Sequence, residues 1–160
     1  MANVDRKMVN GGLVGLVYRL RNLAKREVLV GIPAEENSRE SGPINNAQLL
    51  YIHTHGSPLR HIPARPVIEP AIENARDRIA RQFSRALTAA AHGDADTAER
   101  YLERTGMAAQ NASRAWFTNP DNGWAPNSPV TIAAKGSSRP LIDTGSLRKS
   151  IIYVVRDEND

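Results

Sequence analysis

The triplet Asp143-Thr144-Gly145, after the apolar pair Leu141-Ile142, has the residues of an aspartic-protease loop. In that chemistry a carboxylate on a tight turn shares a proton with a second carboxylate about 3 Å away, and the pair activates water. The segment also has a structural reading. Asp143 or Thr144 caps a short helix opened by Gly145 and Ser146, Leu147 packs inward, and a strand begins near Ile151. A second set is His53-x-His55 with His61 nearby. On an extended chain these could ligate a metal; on a helix, positions i and i+2 diverge. No H-x-x-x-H or carboxylate set completes a zinc site, and no G-x-S-x-G, P-loop or G-x-G-x-x-G occurs.

The surroundings of the triplet decide its reading. A half-site protease needs strands on both sides of the loop and a flap. Only 15 residues follow Gly145 in this sequence, and one strand uses half of them. The preceding chain reads as mainly helical. Asp143, Thr144 and Gly145 are therefore expected to form a structural turn, with Asp143 as the cap. No catalytic, metal-binding or cofactor-binding residue is assigned, and no enzyme is expected.

The elements that position these residues follow from periodicity. Leu13, Leu16, Val17, Leu20 and Leu23 predict a helix over about Gly12–Lys25. Val28 to Gly31 reads as a strand stopped by Pro33, and residues 34–45 as an exposed loop. "NAQLLYIHTHG", from Asn46, reads as a short helix or a second strand, with helix favoured because Asn46 can cap it and Ala47, Leu50, Tyr51 and Thr54 repeat at helical spacing. Ile68, Ile72, Ala75, Ile79, Phe83, Ala86 and Ala90 form one apolar stripe, predicting a single helix from about Pro70 to His92. Its early acids and later arginines Arg78, Arg81 and Arg85 complement the helix dipole. "HGDAD" ends that helix and caps another, Ala95 to Phe117, and the many alanines on both predict a closely packed hairpin. Residues 118–129 are a turn-rich loop, Pro129–Lys135 a turn or two of helix, and "SIIYVV" the last strand.

The chain has 160 residues, 41% of them hydrophobic, and a net charge of +4. This fits one domain with a modest core, and the charge is too small and too interspersed to specify nucleic acid. The absence of cysteine excludes disulfides and thiol chemistry. No apolar run reaches the roughly 20 residues of a membrane span, and the Met-Ala start leads into no signal-peptide pattern. With only 5% aromatic residues, part of the burial is expected to come from partner surfaces. The expected fold class is α+β: a small, mostly antiparallel sheet packed against a long helical hairpin, with extended loops. The expected organisation is a single domain, 1–160, with an N-terminal helix or arm (1–26), a core (27–157) and an acidic tail (158–160).

Three phrases then appear in order: "VGIP", "IPARPVIEPAI" and "GWAPNSPVTIAAKGSSRPLIDTGSLRKSIIYVV". Together, over residues 28 to 156, they resemble the small tail-completion, neck and virion-morphogenesis proteins of tailed bacteriophages. The closing pattern rests on Trp124, Pro126, Thr131, Lys135, Gly136, Pro140, Leu141, Asp143, Thr144, Gly145, Leu147, Ser150 and Ile151. Val67-Ile68 depart from the Phe-Leu such proteins often carry there. The resemblance implies a non-enzymatic structural protein of the virion, assembled in the host bacterial cytoplasm. It implies a homo-oligomeric ring, sixfold or twelvefold, at the neck or top of the tail. Its neighbours would be connector, stopper, terminator or tail-tube proteins, and double-stranded DNA would pass through without membrane contact.

Candidate interface residues are Arg65, Pro66, Trp124, Arg78, Arg81 and Arg85. Arg65 is read either as pairing with an acid across an interface or as a surface loop arginine, and Trp124 as a core lid or an interface anchor. The alternative functions are a DNA-binding module using Arg78, Arg81, Arg85 and the Arg19–Arg26 cluster, and, remotely, an aspartic protease through Asp143.

Overall fold

The computed structural model describes residues 12–34 and 43–158. Its helices are α1 (Gly12–Leu23), α2 (Asn46–His55), α3 (Ile68–Asn74), α4 (Arg76–Ala91), α5 (Ala95–Trp116), α6 (Pro129–Lys135) and α7 (Ser146–Lys149). Strands β1 (Arg26–Gly31) and β2 (Ile152–Asp157) form a two-stranded antiparallel sheet. The class is α+β, as the periodicities predict, and the long helices α4 and α5 pack together. Most of the 34–45 loop, and the last two residues of the acidic tail, lie outside the described residues.

The chain divides into two compact units. The first comprises residues up to Leu29, Asp77–Ala108 and the chain from Val154; the second comprises Val30–Arg76 and Ala109–Tyr153.

In the first unit, Ala86 and Ala90 of α4 and Ala98 and Leu102 of α5 are buried. Small side chains on both helices are what close helix packing requires. The turn between them is built by Gly93, at φ +85°, and by Asp94, whose Oδ1 accepts from the Thr97 N–H at 2.9 Å. The Thr97 side chain, and after it this backbone bond, depress the Asp94 pKa. Arg19 donates to the Ala91 carbonyl at 3.0 Å and fastens α1 to the end of α4. Arg26 pairs with Glu99 and, at 3.2 Å, with Asp157. Arg156 reaches Glu27 at 3.3 Å, and the Glu158 N–H donates to the Lys25 carbonyl at 2.7 Å. These contacts explain why β1 starts two residues earlier than the hydropathy predicts and why β2 runs on through Arg156 and Asp157.

The predicted helix over 70–92 is divided. At Ala75 the N–H is shared among the carbonyls of Ala71, Ile72 and Glu73, which tightens one turn and separates α3 from α4. The apolar stripe is correspondingly incomplete: Phe83 remains 45% exposed.

In the second unit the core is Leu50, Val67, Ala71, Trp116, Phe117, Leu147 and Ile151, with Trp124 and Leu141 packed against it. α2 is capped by Asn45 and not, as expected, by Asn46. Asn45 and Gln48 form a reciprocal capping box, with side-chain bonds of 2.8 and 3.0 Å, while Asn46 is taken into the interior. After α2, Gly56 has φ +73° and ψ −179°, and a Cβ there would lie 2.8 Å from Ala64 N and Ile62 O. Glycine is needed both for the dihedrals and for the space. The following turn is closed by the Ser57–Ile62 bridge, with bonds of 2.8 and 3.0 Å.

Asn45→Ala is expected to lower the unfolding free energy by about 1 kcal/mol, and Gly56→Ala by more than about 2 kcal/mol because strain and clash combine. Denaturant titration of both variants measures the two effects; a Gly56→Ala chain as stable as the parent contradicts the geometry.

Candidate functional site

The second unit contains a cleft of about 810 Å³ that brings several of the sequence-predicted residues together. Two segments build its floor. The "IPARP" segment is extended, as the residues preceding Pro63 and Pro66 require, and carries Arg65 inward. Arg65 is 6% exposed. Its Nε and Nη2 donate to the Ala125 carbonyl at 3.0 and 2.8 Å, and Nη2 also reaches the Pro126 carbonyl at 3.0 Å. Arg65 is therefore an internal tie, which corrects its reading as a surface or cross-interface arginine. The physical reason is that its planar fork satisfies backbone carbonyls in a proline-rich loop with no regular partners.

The same loop returns the contact. Trp124 Nε1 donates to the Pro66 carbonyl at 3.0 Å, and the Trp124 ring meets Phe117 edge-on at 5.8 Å between centroids. Trp124 is the core lid of the two readings, and Pro66 is its acceptor; neither is a free anchor on the surface.

The "KGSSRPLIDTG" segment forms another wall. Lys135, the last residue of α6, donates from Nζ to the carbonyls of Arg139 and Ile142 at 2.5 and 2.8 Å. The bonds close the loop that Gly136, at φ +66°, begins. Burial lowers the Lys135 pKa below its ordinary 10.5; Asp143 acts against that shift and Arg65 adds to it. Two cations thus sit near one carboxylate. Between the lowered value and 10.5 the unfolded chain binds more protons than the folded one, so this group's contribution to stability rises with pH across that window. The neutral amine keeps two N–H groups, which is the number that the two carbonyls use.

Asp143 lines the cleft and is exposed. The expected Asp143 cap is not what the turn uses. α7 begins after Gly145, at φ +82° with no side-chain cap bond, and the Ser146 N–H donates to Thr144 Oγ1 at 3.3 Å. Thr144 and Gly145 make the turn, while Asp143 faces the cleft. Asp143 is the sole carboxylate among the residues lining it, so the shared-proton pair that an aspartic protease requires is not assembled there.

The histidines separate as a helical i, i+2 pair must. His53 lines the cleft with His61, whereas His55 stacks on Tyr51 at 4.2 Å between centroids. Among the described residues no group of three or more His, Cys, Asp or Glu side chains is placed to hold a metal ion. In the first unit the arginine rows also diverge. Arg78 and Arg81 are exposed, Arg85 lies 5.9 Å from the Tyr101 ring centroid, and Arg19 and Arg26 are turned to internal partners.

Sequence reasoning misses the roles of Lys135 and Arg114. Arg114 Nε and Nη2 donate to the carbonyls of Ile151 and Lys149 at 2.8 and 2.7 Å. No local signal identifies a cation whose acceptors are distant carbonyls. Comparison of the chain with protein-family models, with curated proteins and with solved structures finds no match to any of them.

Replacing Arg65 by Gln strands acceptors at Ala125 and Pro126, and an unfolding free-energy loss of about 2 kcal/mol or more is expected. Arg65→Ala loses the aliphatic packing as well. An Arg65→Gln chain with an unchanged denaturation midpoint contradicts the tie.

Proposed function

We propose that this chain is a structural component of a tailed-phage virion. In this reading it assembles into a closed ring at the head–tail junction or the top of the tail and joins or completes the tail. Double-stranded DNA passes through its lumen. The observation that carries the reading is the uncovered apolar face of α1. Leu13 is 75% exposed and Val14 70%, with Val17 and Tyr18 exposed beside them. These residues lie at i, i+1, i+4 and i+5, on one side of the helix. A contiguous apolar face of this kind marks a protein-interaction surface, and the low aromatic content fits a subunit that completes its burial on neighbours.

The phrase-by-phrase resemblance supplies the identity of the assembly. Contacts closing a ring are heterologous and need two different patches on each subunit. The exposed Phe83 of α4 and the almost fully exposed Leu59 of the Ser57–Ile62 turn add apolar surface beyond α1. A weak net charge of +4 suits a DNA conduit, since each phosphate contact adds salt-dependent retention. No helix among the described residues is long and apolar enough to cross a membrane. The partners in this reading are further copies of the chain and neighbouring neck or tail proteins, in a sixfold or twelvefold arrangement.

Leu13→Asp combined with Val17→Asp is expected to shift the protein from an assembled to a monomeric species in sedimentation velocity, with the far-UV circular dichroism and thermal midpoint retained. Assembly at the concentration dependence of the parent contradicts the role given to α1.

A further inference from the structure

The cleft of the second unit has donors that the fold does not use. Nη1 of Arg65 has no hydrogen-bond partner among the described residues, although Nε and Nη2 are fully engaged. Lys135 spends two of three ammonium protons on the Arg139 and Ile142 carbonyls. Both side chains line the same cleft, together with the exposed Arg60 and His61. Three basic side chains, Arg60, Arg65 and Lys135, line it with one carboxylate, Asp143. Apolar side chains, including Leu49, Ile62 and Leu141, line the same space.

We propose that this cleft is a carboxylate-binding site that takes the side chain of an acidic segment on a partner protein, with the free donors of Arg65 and Lys135 as its ligands and Arg60 as a further cation of the lining. A guanidinium and an ammonium withdrawn from bulk water bind an anion more strongly than surface cations do, because both their own hydration and the dielectric screening are reduced. Nη1 carries two N–H groups and Lys135 one spare, a set that matches the two oxygens of a carboxylate. A dianionic phosphate has more acceptor sites than these donors fill and meets greater repulsion from Asp143. The apolar walls accommodate the methylenes of a glutamate or an apolar neighbour in the segment. This inference goes beyond the ring reading and does not need it, since binding is read on the isolated chain.

The experiment is a titration of the isotope-labelled full chain with a capped hexaglutamate peptide, followed by amide chemical shifts. Hexaglutamine at the same concentration and inorganic phosphate at matched ionic strength are run in parallel. Saturable shifts are expected around Arg65, Lys135 and Ile142 with hexaglutamate and not with hexaglutamine. Arg60→Glu is expected to weaken the binding, and Asp143→Asn to tighten it, each by about 2- to 5-fold, the range of a partly exposed charge interaction. Both positions are exposed, so neither variant removes a tie that holds the fold. The proposal is overturned by any of four results: no saturable shift, shifts centred on Arg78 and Arg81 instead, equal response to hexaglutamine, or affinities unchanged in both variants. Saturation by phosphate without hexaglutamate binding overturns the carboxylate assignment too.

Discussion

The second unit depends on a cationic side chain closing onto backbone carbonyls. Arg65 leaves an extended segment whose prolines give no N–H to a sheet, and its guanidinium meets the carbonyls of Ala125 and Pro126 across a sequence separation of 60 and 61 residues. Residues 123–128 form neither helix nor strand, so their carbonyls need an acceptor's partner from elsewhere. Trp124 reciprocates by donating to Pro66. Once these two segments are joined, Trp124 is set edge-on to Phe117, and the core from Leu50 to Ile151 is closed on that side.

The same device recurs. Lys135 gathers the 136–142 loop by two carbonyls, and Arg114 holds those of Lys149 and Ile151 just before β2. A unit with short helices and long connections cannot supply all its backbone bonds from regular structure. Cations with several donors substitute for the missing ladders. They also leave spare donors behind, which is how a structural solution produces a positively charged cleft. In the first unit the solution is different: alanines allow α4 and α5 to pack together, and ion pairs of Arg26 and Arg156 lie beside the paired strands. On α1, Gly15 is buried, while Leu13, Val14, Val17 and Tyr18 are exposed.

Much of the element order is legible in the sequence because it is written locally. The periodicity of α1, the alanine-rich pair α4 and α5, the short α6 and the β-branched run of β2 all appear within a few residues of their predicted places. What escapes is whatever depends on a distant partner. The break at Ala75 rests on one shared amide, and the cap of α2 moves to Asn45 because Asn46 is drawn into the interior. Phe83 fits the stripe by spacing yet stays exposed, since spacing states which face a residue occupies and not whether anything covers it. The site follows the same rule. Asp143-Thr144-Gly145 is recognisable as a turn, but which of its side chains bonds within it is decided by three-dimensional geometry: the Ser146 N–H meets Thr144 and not Asp143, and α7 has no side-chain cap. Arg65 has the sequence context of a surface loop and becomes the tie because its acceptors lie in the 118–129 loop.

The central claim is that this subunit is incomplete alone and closes with copies of itself around a DNA-wide opening. Negative-stain or cryo-electron microscopy of the purified chain, across a concentration series and in the particle that contains it, tests that most directly. The account predicts closed rings of sixfold or twelvefold symmetry with an open lumen. A protein that is monomeric at every concentration and missing from the particle contradicts it.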